Sequence, residues 1–166
     1  MSKVKLNLKP LHGLQKKLAE VSTLRARVGV FEDSDHRTPS QPYHTETSNA
    51  TLGAIHEFGE FSSSYLFNKL VHVPERSFLR MPLILRWGDE LRRHAAGLGF
   101  QLLAGSAKQF LNLVGRLGHS VVDEAFATRR YGSWKELAQI TKELKQSDVP
   151  LIETGQLRDS IRVKVV

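Results

Sequence analysis

Cysteine is missing from this chain of 166 residues. Without a thiol, the protein forms no disulfide, has no thiolate nucleophile and offers no sulfur ligand to zinc. Long apolar runs are also missing, so we expect no membrane-spanning helix. The N-terminal sequence MSKVKLNLKPLHG has basic residues but no continuous apolar segment and no small-residue cleavage site, so it does not predict a signal peptide. These absences indicate a protein that is made and used in a cytoplasm.

Sequence motifs of the common enzyme classes are missing as well. No serine has the neighbours of a G-x-S-x-G elbow, and no G-x-x-x-x-G-K-[ST] loop is present to hold phosphates. The segment GLGFQLLAG lies within or at the end of a predicted helix, so it does not predict dinucleotide binding. We therefore expect no catalytic residue, no cofactor and no metal, and we predict that the protein is not an enzyme.

His56 and Glu57 come closest to a catalytic motif. A zinc helix of the H-E-x-x-H type presents two histidines one turn apart, but the second position is occupied here by Glu60. The other histidines show no ligand spacing. A hydrogen-bonding pair near a helix end explains the two residues better, and a hydrolase that uses them stays an alternative.

Positive charge is in excess. Lys and Arg number 24 against 17 Asp and Glu, which gives a net charge of +7 at pH 7. Such an excess permits attraction to nucleic acid or to an acidic protein surface. Because the basic residues are spread along the chain instead of forming one block, a solvated surface explains most of them. A small basic nucleic-acid-binding protein is kept as the second hypothesis.

The hydrophobic pattern predicts one domain, 1–166, with both helices and strands. Period-two alternation and β-rich composition predict strands at 4–8, 25–31, 64–67, 70–73 and 161–165, with the third and fourth forming a hairpin. Apolar spacings of three and four, together with capping signals, predict helices at 11–21, 52–58, about 82–104, 106–128 and 133–145. The polar segment 32–48, with two prolines, is predicted to be a long, exposed and mobile loop.

The predicted fold class is α+β, a small antiparallel or mixed sheet packed against two long helices and shorter helices. The second long helix is expected to bury a stripe made by Phe110, Leu113, Val114, Leu117 and Val121. Residues 150–166 are predicted to form a turn and a closing strand. Thr154 and Gly155 suit the turn, and the partner of the strand is either in the same chain or in a neighbouring one.

Three short motifs follow one another along the chain: HEFG at 56–59, VPERSFLR at 73–80 and PLIETGQLRDSIRVKV at 150–165. Together they resemble the virion morphogenesis or tail-completion proteins of tailed bacteriophages. The second motif is similar to that family's I-P-A-R-P-F-L-R, and the third to its P-L-I-D-T-G-Q-L-R-N-S-I. Glu75, Ser77 and Glu153 depart from the family pattern. Two long helices and a tryptophan-containing segment between the second and third motifs agree with the family's arrangement.

The resemblance implies a structural virion protein that completes the tail end and joins it to the head connector. The expected partners are further copies of the chain in a homo-oligomeric ring, a hexamer, together with neck, connector and tail-terminator or tail-tube proteins. Genome DNA would pass through the ring without sequence-specific binding, and no membrane takes part. The expected location is the neck of the virion, after assembly in the host cytoplasm.

The motifs also nominate residues for contacts with partners. Arg76 and Arg80, which flank Phe78 and Leu79, suit a ring interface because arginine pairs with carboxylates beside apolar anchors. The alternative is that Phe78 and Leu79 form the first core turn of the following helix. The nominated residues are His56, Glu57, Phe58, Gly59, Pro74, Arg76, Phe78, Leu79, Arg80, Thr154, Gly155, Gln156, Leu157, Arg158 and Ser160.

Overall fold

The computed structural model describes residues 9–38, 47–64, 69–131, 134–145, 148–152 and 154–166. Within these ranges the fold is α+β, as predicted. The described helices are α1 (Lys9–Thr23), α2 (Asn49–Phe58), α3 (Arg80–Arg93), α4 (Ala95–Ala104), α5 (Ala107–Thr128), α6 (Gln139–Lys145) and α7 (Gln156–Ser160). The described strands are β1 (Ala26–Val30), β2 (Glu60–Ser64), β3 (Lys69–Val73) and β4 (Ile161–Val165).

Four predictions fall partly or wholly outside these ranges. The predicted strand at 4–8 lies outside the described residues, as do positions 39–46 of the predicted loop, 65–67 of the predicted strand at 64–67 and Ser133 of the helix predicted at 133–145. The start of that loop contains a short 3-10 helix, Glu32–Ser34, which the polar composition did not indicate.

The terminal strand β4 finds its partner within the chain. It pairs antiparallel with β1, in a register that places Val163 opposite Val28 and Ile161 opposite Val30. Helix α5 packs against this sheet, and Ile161 is among the most deeply buried residues. The main core cluster is formed by Phe78, Val122, Phe126, Leu151, Leu157 and Ile161.

Two glycines let α5 approach the sheet closely. A Cβ atom added at Gly115 would lie 2.3 Å from Cγ1 of Val163, and one added at Gly118 would lie 3.2 Å from Cγ2 of Val28. A larger residue at Gly115 would force the Val163 side chain to move, and one at Gly118 would require smaller shifts of Trp87 and Val28. Contact with the sheet therefore offsets the roughly 1 kcal/mol that a glycine costs in a helix relative to alanine.

We expect alanine to have opposite effects at two helical glycines. Gly97 in α4 has nothing within 4 Å of an added Cβ atom, so Gly97→Ala should raise the free energy of unfolding by about 0.5–1 kcal/mol. Gly115→Ala should lower it by about 1–3 kcal/mol, because the methyl group overlaps Val163. Urea unfolding followed by circular dichroism measures both. Equal stabilisation by the two substitutions would contradict the close contact between α5 and the sheet.

The helix predicted at 82–104 is two helices in the structure. The spacing of Leu85, Leu91, Leu98 and Leu102 predicts that they lie along one face of that helix, and this prediction is wrong at Leu85. Helix α3 ends at Arg93, and His94 leaves the helical conformation before α4 begins. Because the helix is interrupted there, one apolar stripe cannot continue along it. Leu85 is 53% exposed, whereas Trp87 on the same helix reaches the position of Gly118 on α5.

The predicted start of α5 is correct, but the residues that the helix buries differ in part from the predicted stripe. Ser106 and Gln109 form the predicted capping box, with the Gln109 amide donating to the Ser106 hydroxyl over 3.2 Å. Leu117 and Val121 are buried as predicted. Phe110, Leu113 and Val114 are only half-buried, because α5 turns its glycines and Leu111, Val122, Ala125 and Phe126 toward the core.

Two further boundaries were wrong. The first strand of the predicted hairpin begins four residues earlier than expected, with Glu60 opposite Val73, because the chain turns at Gly59 directly after α2. The helix predicted from Ser133 begins at Gln139, and residues 134–138 have no regular structure. The carbonyl groups of Lys135 and Glu136 accept hydrogen bonds from the Arg76 side chain. These carbonyls therefore have partners although the segment is not helical.

Candidate functional site

The first two motifs meet at the carboxylate of Glu57. This side chain, from the last turn of α2, is only 5% exposed and lies at the first turn of α3. Its oxygens accept hydrogen bonds from the backbone amides of Phe78 and Leu79, both at 3.0 Å, and of Arg80 at 2.9 Å. The hydroxyl of Ser77 donates to the same carboxylate. Glu57 therefore caps a helix to which it does not belong.

This arrangement provides hydrogen-bond acceptors for the amides at the start of α3. The first amides of a helix have no partner within the helix, and a negative charge near them is stabilising. Leu79, which precedes α3, provides no side-chain cap. Ser77 contributes a second link, because its hydroxyl accepts from the amide of Met81 at 2.9 Å while donating to Glu57. Ser77 therefore links the Glu57 carboxylate to the first turn of α3.

Gly59 holds the backbones of the two motifs together. It has a φ of 73°, a conformation that favours glycine. A Cβ atom added at Gly59 would lie 2.9 Å from the amide nitrogen of Glu75 and 3.1 Å from the carbonyl oxygen of Val73. Nearby, the amide of Arg76 donates to the carbonyl of His56 at 2.7 Å. The HEFG motif is therefore the end of α2 followed by a turn at Gly59, and this turn fits against the VPERSFLR backbone.

A matched pair of glycine substitutions tests this fit. Gly155 also has a positive φ, 81°, but the atom closest to its added Cβ is 3.5 Å away. We expect Gly155→Ala to cost about 1 kcal/mol of unfolding free energy from backbone conformation alone, and Gly59→Ala about 2–4 kcal/mol because a backbone clash is added. Thermal unfolding followed by circular dichroism ranks the two. A smaller loss for Gly59→Ala than for Gly155→Ala would contradict the close approach.

Arg76 joins the second motif to the segment that follows α5. It is 4% exposed, and its guanidinium donates from Nε to the carbonyl of Lys135 at 2.8 Å and from Nη2 to that of Glu136 at 3.1 Å. Burial lowers the pKa of Arg76, because the charged form loses solvation. The carbonyl groups compensate part of that loss. Arg76 thus acts inside the protein and does not offer its guanidinium to a partner.

Aromatic packing reinforces the same connection. The ring of Phe126 lies 5.1 Å from that of Phe78 and 5.8 Å from that of Trp134, the latter pair edge to face. The indole of Trp134 donates to the carbonyl of Ser77 at 3.2 Å. Phe78 is therefore a core residue, as the alternative interpretation held, and Leu79 is partly buried against the core.

The third motif contacts α2 and packs near Phe78 through Leu157, and it contacts the segment before α2 through Gln156. The Gln156 side chain forms two hydrogen bonds with the backbone of Thr38, accepting from its amide at 2.7 Å and donating to its carbonyl at 2.9 Å. Leu157 and Phe78 both lie 3.4 Å from a Cβ atom added at Gly53 of α2. The three motifs thus form one contact region, called here the motif junction: 53–59, 75–80 and 154–161.

Some nominated residues lie at the rim of the motif junction and remain accessible. Phe58 is 66% exposed, and the Arg80 guanidinium lies 5.7 Å from the centre of its ring. Arg80 also pairs with Glu75 at 2.7 Å. The remaining rim residues are the exposed Thr154 and Arg158 and the half-buried His56, Pro74 and Gly155. Ser160 is buried and accepts a hydrogen bond from Ser34 at its carbonyl.

The hydrolase alternative loses support from this geometry. A general base needs a carboxylate that is free to take a proton, whereas four donors already engage Glu57. In the part of the chain that the structure describes, no group of three or more acidic or histidine side chains is arranged to hold a metal ion.

The chain was compared with protein families, curated proteins and solved structures. None of them matches it. The described helices include none with the length and apolar character needed to cross a membrane.

Sequence reasoning missed two residues that fix the start of α2, the helix that carries Glu57. Asn49 is fully buried at the start of α2, and its side chain donates to the carbonyl of His36 at 3.0 Å. Ser48 caps α2 by accepting from the amide of Thr51 at 3.1 Å. The spacing of Ser48 before an apolar segment is a recognisable capping signal. Asn49 gives no such signal, because its partner lies in a segment without periodicity.

A second feature of the surface is apolar. Helix α4 has no charged residue in ten positions, and Leu98 is its only buried side chain. Phe100 is 69% exposed and Leu103 64% exposed. Helix α1 lies beside α4, since the Lys17 amine donates to the carbonyl of Leu103, and it exposes Leu11 and Leu18 two turns apart. These four side chains, Leu11, Leu18, Phe100 and Leu103, are called here the α1–α4 surface.

Proposed function

We propose that the chain is a structural virion protein of a tailed bacteriophage that completes the tail end and joins it to the head connector as a ring around the DNA channel. The observation that carries the proposal is the motif junction. The first two motifs, recognised from their likeness to one family, contact each other through Glu57 and Phe78, and the third shares a core cluster with the second through Phe78, Leu157 and Ile161. Motifs that belong to one structural unit are expected to meet in the fold, so these contacts support the resemblance.

The α1–α4 surface supports an assembly role. Large apolar patches are rare on proteins that act alone, and they commonly mark contact surfaces. Here an uncharged helix exposes two large side chains in a protein of which a quarter of the residues are charged. Burial of this surface against a partner would remove that apolar area from water. The ring that the resemblance implies provides such a partner.

A ring requires that one face of each copy meets a different face of the next. The α1–α4 surface and the rim of the motif junction, with Phe58 and Arg80, are two separate candidate faces. The first offers aliphatic and aromatic anchors. The second offers an aromatic ring with an arginine beside it, a combination enriched at interface hot spots.

Imaging tests the proposal. Purified protein should be incubated with connectors and with tail tubes of a tailed phage, and each mixture examined by negative-stain electron microscopy. We expect ring-shaped particles and an added disc at one end of the tubes. Protein that forms no ring and decorates neither component would overturn the proposal.

A further inference from the structure

The sheet of β1 and β4 has one face toward α5 and one face away from it. The α5 side is defined by Ala26, Val28 and Val163, whose side chains lie near the glycines of α5. Since side chains alternate along a strand, the opposite face carries the residues between them. The backbone pairing continues to Arg25, whose amide donates to the carbonyl of Val166 at 2.6 Å. The opposite face carries Arg25, Arg27, Gly29, Arg162 and Lys164, five residues called here the basic sheet face, and the exposed Val166 lies beside them, opposite Arg25.

Four of these five residues are cations, and the register places them close together. Arg27 lies directly opposite Lys164, and Arg162 lies diagonally from Arg27. Such neighbours are about 5–8 Å apart, and like charges directly opposite each other destabilise a sheet. A bound anion would relieve that repulsion.

The protein itself neutralises only part of this charge. Lys164 pairs with Asp33 at 2.6 Å and lies 4.7 Å from the centre of the Phe31 ring. The guanidinium groups of Arg25 and Arg162 donate to backbone carbonyls, which carry no net charge. Arg27 is exposed and forms no ion pair with any residue that the structure describes. Three arginines therefore remain available to an external anion.

Gly29 lies in the middle of this face and leaves it flat. An added Cβ atom would have nothing within 4 Å, its φ is not in the left-handed region, and the pairing of β1 with β4 is regular. Among the residues that the structure describes, no turn, bulge or internal contact requires glycine here. Close approach of a ligand to the backbone is one of the uses of a glycine within a strand, and the open space at Gly29 permits it.

We propose that the basic sheet face binds the phosphate backbone of double-stranded DNA without reading its sequence. Arginine forms strong charge-assisted hydrogen bonds with phosphate, and contacts of this kind position a protein on DNA without specifying bases. Two apolar side chains lie at this face, Val166 opposite Arg25 and the Phe31 ring against Lys164, but four cations outnumber them, so charge and not apolar burial would supply most of the binding. The observations therefore favour duplex DNA over an acidic protein or a single strand.

The test is a binding titration of the purified full chain with a short fluorescein-labelled DNA duplex, followed by fluorescence anisotropy over a range of salt concentrations. Each phosphate contact contributes about −0.9 to the slope of log affinity against log salt, so three to four cations predict a slope of about −3. Arg27→Gln should make that slope shallower by about 0.9, the share of one contact. The control is the double variant Lys108→Gln with Arg116→Gln, which removes two exposed cations from α5. It should lose less affinity for the duplex than Arg27→Gln, although it removes one more charge.

A second pair of variants separates charge from bulk. Gly29→Gln and Gly29→Glu add side chains of nearly the same size to an open position, and only glutamate adds a negative charge. We expect Gly29→Glu to bind the duplex at least about tenfold more weakly than Gly29→Gln, because the added carboxylate repels the phosphates. Thermal unfolding of each variant verifies its fold, and Arg27→Gln decides the matter if a Gly29 variant does not fold.

Three results would overturn the proposal: no duplex binding at low salt, equal binding by Gly29→Glu and Gly29→Gln, or equal losses in Arg27→Gln and the α5 control. Poly-glutamate competes in a further titration. If it displaces the duplex at equal concentrations of negative charge, an acidic protein surface replaces DNA as the ligand. The proposed DNA-binding face does not rest on the proposed tail-joining function. The titration uses the isolated chain without tails or connectors, so DNA binding can fail while tail joining holds, and the reverse.

Discussion

Glu57→Ala should lower the free energy of unfolding by about 3–5 kcal/mol, because it leaves three backbone amides and the Ser77 hydroxyl without their acceptor. An unpaired buried donor costs about 1–3 kcal/mol, and water that enters the space recovers part of the sum. Loss of the helix cap is included in this effect, since the amides belong to the start of α3. Urea denaturation followed by circular dichroism measures the change. We expect the variant to unfold at markedly lower denaturant concentration with an unchanged slope.

Two control variants make this result specific. Glu57→Gln retains one acceptor oxygen and should lose less than Glu57→Ala. Glu60→Ala removes an exposed carboxylate three positions along the chain and should stay within about 0.5 kcal/mol of the unchanged protein. A loss below about 1 kcal/mol for Glu57→Ala would contradict the capping role and would reopen the question of what this buried carboxylate does.

Phe100→Asp combined with Leu103→Asp should abolish ring formation and tail joining while the monomer stays folded. Both side chains are largely exposed, so their replacement removes little from the core of a single chain. At an interface, each buried apolar side chain of this size contributes about 1.5–3 kcal/mol, and a buried aspartate adds a desolvation cost. Their combined loss corresponds to a decrease in association of roughly 100-fold or more.

Analytical ultracentrifugation measures the association, and circular dichroism verifies the fold of the double variant. Ser120→Asp is the matched control, because it places the same charge on an exposed position of α5 outside the α1–α4 surface. It should associate like the unchanged protein. Unchanged association of the double variant would exclude the α1–α4 surface as an interface and would leave the rim of the motif junction as the candidate.

The motif junction also changes how a truncation should be interpreted. Deleting 156–166 would remove β4 along with the buried residues Leu157 and Ile161. Loss of assembly in such a truncation would follow from loss of the core. Point substitutions at exposed positions therefore provide the sharper test of function.

The parts of the fold that could be predicted are those with local signals. Ser106 and Gln109 mark the start of α5 through a spacing of three residues, and the alternation of β4 is visible in five residues. The break at His94 has no proline to announce it, and the sequence before and after it reads as continuous helix. The prediction failed there because the break is confined to His94, a residue type that a helix also accepts.

The candidate site shows the same limit. The motifs themselves were recognisable, but the role of Glu57 depends on amides about twenty positions away, and that of Arg76 on carbonyls about sixty positions away. No spacing rule connects such residues. Arg76 was predicted to suit an interface because arginine pairs with carboxylates beside apolar anchors. In the structure it is buried, and the carbonyl groups of Lys135 and Glu136 receive its donors.

The proposed role as a tail-joining protein is tested most directly by native mass spectrometry of the purified chain, alone and mixed with connectors and tail tubes. The proposal predicts a closed homo-oligomer of six copies, or its stable capture on one of the two components, and loss of that species with Phe100→Asp and Leu103→Asp. A chain that keeps the mass of a single copy in every mixture would contradict it.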